Sequence, residues 1–495
     1  MPVAAQVLGH ARACPRRLAV QGPDGGLDYA GLARRARAGA RHLAGLGAEP
    51  GMLAAITLAD PVEQIVAVLA ADLAGVVPLL CDHGWTADRR DRILRAVPVG
   101  LHIDRPLPVT PRQPVGTVRP RACHAPGRVA TDPRAAPGVA GGAEGPWVTP
   151  RPEDLAWANF SSGSTGRPRA VIRTRGSWTG SFPHLNRIAG IGPGDVVLVP
   201  GPLVSSLYGF AAVHALATGA TAVVPGRWSP DGLAGHLRTA TAVHLVPHHL
   251  PVVLDALAEA AGPLRTAIAG GAALPDETRA AAARAGVRVV AYYGATELSF
   301  VAVDADGSGL RPFPEVEIEV RTPPGERLGE VWVRSPWLSA GYAAGTRGPL
   351  RVDGGGWMTV GDLAEPYRPG EPLRVRGRGD GAIQVGGATV VPEDVESVLR
   401  HVPGVRDVVV VAAPHPRLGA VVTAVLEHDG DPPSRAVLET AARDGLDPAQ
   451  RPRRWYTTTA LPRTPTGKPA RALVAARLAE GGPGMRRLER PGAAW

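Results

Sequence analysis

Lysine is almost absent from this 495-residue sequence: of 54 basic residues one is lysine, Lys468, and the rest are arginine. Phenylalanine and tyrosine are also scarce, at five and seven. Ala, Gly, Pro and Arg dominate, the mark of a GC-rich coding sequence, so the formal net charge of +9 reads as compositional bias. No basic run interleaved with aromatics accompanies that charge, and the arginines are scattered along the chain. Both features argue against a nucleic-acid surface. Three cysteines, Cys14, Cys81 and Cys123, are too few and too widely spaced for a disulfide framework or a metal cluster, and they fit a reducing cytoplasm. The opening MPVAAQVLGHARACPRRL has no continuous apolar stretch, so no signal peptide is expected. The longest apolar run, Ile65 to Cys81, is broken by Asp72, Gly75 and Pro78 and reads as a buried helix and a strand, not a membrane span.

What is present is a long α/β rhythm. Between residues 28 and 104, helical spacing in DYAGLARRARAGARHLAGLG and PVEQIVAVLAADLAG alternates with the strand-like MLAAITL and VVPLL. Residues 105–153 shift to Pro, Gly and Arg and read as an irregular connection. The alternation resumes at DLAWANF and runs through DVVLVPGP, TAVVPG, AVHLVPHHL, LRTAIAGG and VRVVAYYG. After about residue 312 the pattern is strand-rich: EVEIEVRTP, GEVWVRSP, WMTVGDLAE. A smaller unit then starts near residue 381, with VVPEDVESVLRHVPG as helix and VRDVVVVAAP as strand. These elements imply a large N-terminal α/β body over residues 1–379 and a small α+β C-terminal domain over residues 380–495.

Five stretches carry chemistry. FSSGSTGRPRA, residues 160–170, follows a strand and offers consecutive backbone N–H groups and hydroxyls that can wrap a polyphosphate; alone it is equally a flexible turn, and it lacks the spacing of a Walker-type loop. AYYGATELS, residues 291–299, sets Thr296 beside Glu297, a hydroxyl and a hard oxygen ligand suited to Mg²⁺ with phosphates, while Tyr292 and Tyr293 offer a ring face for a purine. The same letters read equally well as a capped helix start. GWMTVGDLAE puts Asp362 after a glycine at a strand end, where a carboxylate can hold the two hydroxyls of a ribose or simply make a turn. RVRGRGDGAIQVGGATVVPEDVE surrounds Asp380 with glycines, as a hinge or a plain hairpin would. TPTGKPA carries the lone lysine.

In this order the motifs SSGSTGRPR, YGATE, GEVWVRSPWLSAGY, TVGD, GRGDGAIQVGGATVVPEDVE and PTGK resemble the adenylate-forming superfamily: acyl-CoA synthetases, adenylation domains and luciferases. The resemblance covers nearly the whole chain. It implies a body of packed sheets and helices with a strand-rich subdomain, and a mobile C-terminal domain. It also implies site roles. Ser161, Ser162, Gly163, Ser164, Thr165 and Gly166, with Arg169, would grip the β- and γ-phosphates of ATP. Gly271, Ala272, Ala273, Tyr293 and Gly294 would border the adenine, Thr296 would reach the α-phosphate and Glu297 would bind Mg²⁺. Asp362 and Arg378 would hold the ribose, Asp380 would be the hinge, and Lys468 the catalytic lysine. The glycine pair Gly386–Gly387 would let a slim pantetheine arm pass close to backbone.

The reaction so implied is ATP-dependent formation of an acyl-adenylate, release of pyrophosphate, and transfer of the acyl group to the thiol of coenzyme A. A compact ammonium on a thin stem can enter between a carboxylate and a phosphate, which a wide, planar guanidinium cannot do as well. That is the chemical reason to expect lysine at position 468 in a chain that otherwise writes arginine. The chain departs from the family at Arg169 and Ala170, where lysine and glycine are usual, and at Gln384, where lysine is common. Ser205 stands where many acyl-CoA synthetases show histidine, and Ser205 and Ser206 bring no charge to pair with a substrate ammonium. An acid with an apolar or aromatic tail is therefore expected over an α-amino acid. No carrier domain is expected in the 27 residues after Lys468, so the acceptor would be free. The competing readings are a standalone adenylation enzyme that loads the phosphopantetheine of a free carrier protein, an amide-forming ligase, and a catalytically weak binding module.

Overall fold

The computed structural model describes residues 3–85, 87–108, 150–161, 169–344, 346, 348–378, 381, 383–385, 388–415, 419–446, 448–464, 467–482 and 484–489. The chain forms two compact units, one built from residues 1–160, 170–290 and 339–346, the other from 161–169, 291–338 and 347–495.

The first unit is the α/β layer system that the periodicity implies. One sheet runs in the order Thr266–Gly270, Ala242–Leu245, Val196–Leu198, Thr221–Val223, Leu18–Gly22, Gly25–Asp28. Among these six strands of a nine-stranded sheet the neighbours are parallel except the last pair, a hairpin. A second sheet holds Leu53–Ile56 between the parallel strands Val77–Leu80 and Val99–Ile103. Leu53–Ile56 and Val77–Leu80 read as unbroken apolar runs because both faces are covered, and every residue of these two strands and of Ala242–Leu245, which also buries His244, is buried.

Helix Pro61–Leu73 shows how local and global signals agree. Asp60 caps it, with Oδ1 accepting the amides of Val62 at 2.6 Å and Glu63 at 3.1 Å, and Pro61 occupies the first helical turn, where its missing N–H costs nothing. Glu63 alone among its residues escapes burial, as an apolar all-round helix requires. One charge goes inside with it. Asp72 accepts a hydrogen bond from the Ala4 amide at 2.9 Å and pairs with Arg175 Nη1 at 2.5 Å, both side chains under a tenth exposed.

Helix Ser206–Thr218 packs an aromatic wall. Trp157 stacks on Trp178 at 4.6 Å, and Phe182 meets Phe210 and His214 edge to face, each at 5.3 Å. His214 Nε2 bonds Asn186 Oδ1 at 2.7 Å, and His244 lies 6.2 Å from His214. Burial drives both imidazoles neutral, His214 down to about 4 and His244 to about 3.

The second unit is strand-rich and then mixed. Six of its strands form one antiparallel sheet: Glu317–Arg321, Gly329–Arg334, Arg351–Val352, Met358–Thr359, Asp362–Ala364 and Val375–Arg378. Asp362 is the first residue of its strand. Downstream lies a six-stranded sheet in which Asp407–His415 and Gly419–Glu427 form a long antiparallel pair, and Gly419–Glu427 runs parallel to Arg454–Thr458. Helices Pro392–Arg400, Arg435–Gly445 and Arg471–Ala479 accompany it, around a core that includes Val395, Leu399, Val410, Leu426, Leu438 and the buried Trp455. The α/β body, the strand-rich section and the small α+β section expected from the sequence are all present.

The buried ionisable groups make stability testable. Arg175→Ala strands the Asp72 carboxylate and should lower unfolding free energy by about 3–5 kcal/mol in a urea titration, with Asp72→Leu/Arg175→Leu recovering part of the loss. Because the folded pKa values of His214 and His244 lie below the ordinary 6.5, the unfolded chain binds protons that the folded chain refuses as pH falls below about 6.5. Stability should therefore be intact at pH 7 and decline on acidification, by about 1.4 kcal/mol per pH unit per histidine between pH 6 and 4.5. Urea midpoints of His244→Leu across that range should show a flatter slope.

Candidate active site

The second unit gathers several of the expected site residues. Strand Arg288–Ala295 carries Tyr292, Tyr293 and Gly294 near its end and turns back into Ser299–Asp304. The register slips between Tyr293 and Gly294, and a side chain at Gly294 would collide with the Ser299 carbonyl, so glycine is required there. Thr296 and Glu297 ride on the turn between the two strands. The helix start that YGATE equally suggests does not form; the residues belong to a bulged hairpin. Glu297 is 3% exposed, and so presents a carboxylate in a dry setting.

Asp362, also almost fully buried, is joined to this hairpin from a different sheet: Tyr293 Oη donates to Asp362 Oδ2 at 2.7 Å. Arg378 lies directly across the ladder from Asp362. Gly361, at φ +80°, makes the bend that delivers Asp362 to its strand. Tyr293, expected at the adenine, is thus also a hydrogen-bond donor to the carboxylate expected at the ribose. Sequence reading missed this partnership because 69 positions separate the two residues. Tyr292 differs from its neighbour: its ring meets Phe300 edge to face at 4.7 Å and belongs to the packing, not to an open ring face.

The donor set suits a nucleotide. A carboxylate offers about four lone-pair sites, so one that accepts a phenol can still accept a pair of vicinal hydroxyls. Glu297 next to a hydroxyl matches Mg²⁺, which uses one or two carboxylates and takes its other ligands from phosphates and water. Among the described residues no group of three or more His, Cys, Asp or Glu could by itself cage a metal.

Other expected residues lie elsewhere or outside the description. Gly271, Ala272 and Ala273 follow strand Thr266–Gly270 in the first unit as an exposed bend, with Gly271 at φ +85°. Ser205 and Ser206 open the helix that carries Phe210 and His214, also in the first unit. Arg169 begins strand Arg169–Thr174. Ser161 ends strand Leu155–Ser161, while Ser162, Gly163, Ser164, Thr165, Gly166, Asp380, Gly386 and Gly387 fall outside the described residues. Lys468 follows Gly467, and its carbonyl accepts the Thr464 amide at 2.7 Å.

Comparison with known proteins points the same way. The AMP-binding enzyme family model matches residues 8–343, and the AMP-binding enzyme C-terminal domain model matches residues 394–468. The uncharacterized acyl-CoA ligase YhfT of Bacillus subtilis (strain 168) is 33% identical over 347 residues, 66% of this chain and 70% of that protein. Among solved structures, ATP-bound MatB from Rhodopseudomonas palustris superposes with a TM-score of 0.79 at 22% identity, covering 97% of this chain and 100% of that one. The amide bond synthetase McbA from Marinactinospora thermotolerans gives a TM-score of 0.73 at 26% identity, covering 96% of this chain and 100% of that one.

Tyr293→Phe removes one donor from a buried carboxylate, an effect of about 1.5 kcal/mol. The KM for ATP in a pyrophosphate-release assay should rise roughly tenfold, with a smaller change in kcat; an unchanged KM would separate Asp362 from nucleotide binding.

Proposed function

The chain belongs to the AMP-binding enzyme family, and on that premise we propose that it is an ATP-dependent acid–thiol ligase acting on a carboxylic acid with an apolar or aromatic tail. In the first step a carboxylate oxygen of the acid attacks the α-phosphorus of ATP. The bond from that phosphorus to the bridging oxygen breaks, and pyrophosphate leaves with the electron pair. In the second step the thiol of coenzyme A attacks the acyl carbon, its proton is lost to solvent or base, and AMP leaves.

Each residue has a role in this reading. Asp362, oriented by Tyr293, accepts from the ribose hydroxyls, with Arg378 assisting. Gly271, Ala272, Ala273 and the Tyr293–Gly294 edge border the adenine. Residues 161–166, with Arg169, take the β- and γ-phosphates. Thr296 donates to the α-phosphate, and Glu297 would hold Mg²⁺, which when bound draws charge from the phosphates. Lys468 brings an ammonium to the α-phosphate as negative charge builds there. At about 4 Å and an effective dielectric near 20 such a charge contributes up to roughly 4 kcal/mol. Residues 380–495 then turn about Asp380, withdrawing Lys468 and bringing the Gly386–Gly387 stretch to the pantetheine arm.

The observation that carries the nucleotide half is the Tyr293–Asp362 contact beside the Thr296–Glu297 turn. The apolar acid is supported by the uncharged Ser205 and Ser206 at the head of a helix whose next turns present Phe210 and His214 to an aromatic cluster. Coenzyme A as acceptor is supported by the likeness to YhfT. The likeness to McbA favours a second reading, in which an amine takes the acyl group, and a free carrier protein remains the third acceptor. No helix among the described residues is long and apolar enough to cross a membrane. Free Cys14 and Cys81 support a reducing, cytoplasmic setting.

A panel of fatty acids, benzoate, cinnamate and succinate in a pyrophosphate-release assay, followed by mass spectrometry of products with coenzyme A, carrier protein or amine, tests the reading; release from none of the acids sinks it. Lys468→Ala should abolish adenylate formation yet leave transfer from a supplied acyl-adenylate within a few-fold of wild type. Lys468→Arg should fail at adenylation as well. Equal loss in both half-reactions would contradict the turning of the small domain.

A further inference from the structure

Lys468 is bracketed by two arginines, one five residues before it and one three residues after it, and each arginine spans two carboxylates. Arg463 Nη2 donates to Glu427 Oε2 at 2.8 Å, and its Nη1 donates to Asp407 Oδ2 at 3.1 Å. The same Nη1 donates to the carbonyl of Gly467, the residue next to Lys468, at 3.1 Å. Asp407 and Glu427 lie directly opposite each other on paired antiparallel strands. Like charges in that position repel unless a cation joins them. Glu427 is nearly fully buried and also accepts the Leu461 amide at 2.9 Å, so its place is determined from two sides.

Arg471 repeats the arrangement on the other flank. Its Nη1 donates to Glu393 Oε1 at 2.6 Å and its Nη2 to Glu396 Oε1 at 2.6 Å. Glu393 and Glu396 lie one turn apart on helix Pro392–Arg400, and Glu396 also accepts the Val410 amide at 2.9 Å. Backbone bonds also join the described residues on either side of Lys468. Arg463 and Pro469 form a single antiparallel bridge, the Gly467 amide donates to the Thr464 carbonyl at 2.9 Å, and the Ala470 amide donates to the Pro462 carbonyl at 2.7 Å.

We propose that Arg463 and Arg471 are positioning residues for Lys468. This deepens the functional reading above and rests on it. A lysine stem has several rotatable torsions, and its ammonium can act at a phosphate only if its root is fixed. Two forked guanidiniums fix that root, because a fork that spans two acceptors sets orientation as well as distance. All these groups belong to the small α+β section, so the bracket travels with Lys468 when that section turns.

The test uses the full chain and exploits the single lysine. With the acid that gives the greatest pyrophosphate release in the panel, Arg463→Gln and Arg471→Gln should each lower the kcat of adenylation roughly 10- to 100-fold, the range that misplacing a group by about 1 Å can cost. KM for ATP and acid should stay within about threefold, and Arg463→Lys should recover part of the loss by restoring charge without the fork. The second readout needs no activity: the amines open to acetic anhydride are Lys468 and the α-amino group, and the latter serves as internal reference in mass spectrometry. The rate of Lys468 labelling should shift at least threefold in the glutamine variants. Unchanged kcat in a background where Lys468→Ala is inactive overturns the positioning role and leaves the functional reading standing. A fall in kcat matched by a general rise in KM, with labelling unchanged, marks a purely structural role and overturns it too. If Lys468→Ala keeps its adenylation, the functional reading fails, and an unchanged labelling rate then removes the positioning role as well.

Discussion

A charge withdrawn from water needs a counter-charge or a donor at hydrogen-bond distance, and this constraint governs every part of the structure that matters for chemistry. Asp72 meets it through Arg175, Glu427 through Arg463, and Glu396 through Arg471. Asp362 meets it partly through a neutral donor, the phenol of Tyr293. The phenol sets the direction of that carboxylate, and the nucleotide reading of Asp362 uses this orientation.

The legible parts of the fold were those in which one signal dominated. Parallel strands such as Val77–Leu80 and Leu53–Ile56 show as short apolar runs because both faces are covered, and helix Pro61–Leu73 announces itself by Asp60, Pro61 and a nearly unbroken apolar run. The motifs that resemble adenylate-forming enzymes pointed to the family that the comparisons support. Less legible were places where local chemistry fits two structures. Thr followed by Glu is a good helix start, yet in YGATE the preceding Gly294 permits a bulge that a side chain would block, and the hairpin wins. Asp362 follows a glycine that ends one segment and starts the next, so the letters alone do not say which strand it belongs to.

Least legible were the contacts that arginine makes. When nearly every basic residue is arginine, the identity of any one of them carries little information, and Arg463 and Arg471 look like the others. Their meaning comes from register: Asp407 opposite Glu427, and Glu393 three residues before Glu396 on one helix, create two diacid sites that a fork can span. The arginines that span these sites lie 36 to 78 positions from their partners and leave no local pattern. The Tyr293–Asp362 contact escaped for the same reason.

The same bias that hides the arginines sharpens the meaning of the lysine. Arginine suffices wherever a fixed carboxylate must be gripped, and the structure uses it so at Asp72, Glu393, Glu396 and Glu427. A group that must approach a reacting phosphorus and later leave it has the opposite requirement. It needs one compact charge, a slim stem, and contacts that it can exchange as the site changes. Gripping and releasing are incompatible demands on a single side chain; in the proposed reaction they are divided, with the arginines that grip carboxylates on either flank and the one lysine between them left to make the approach.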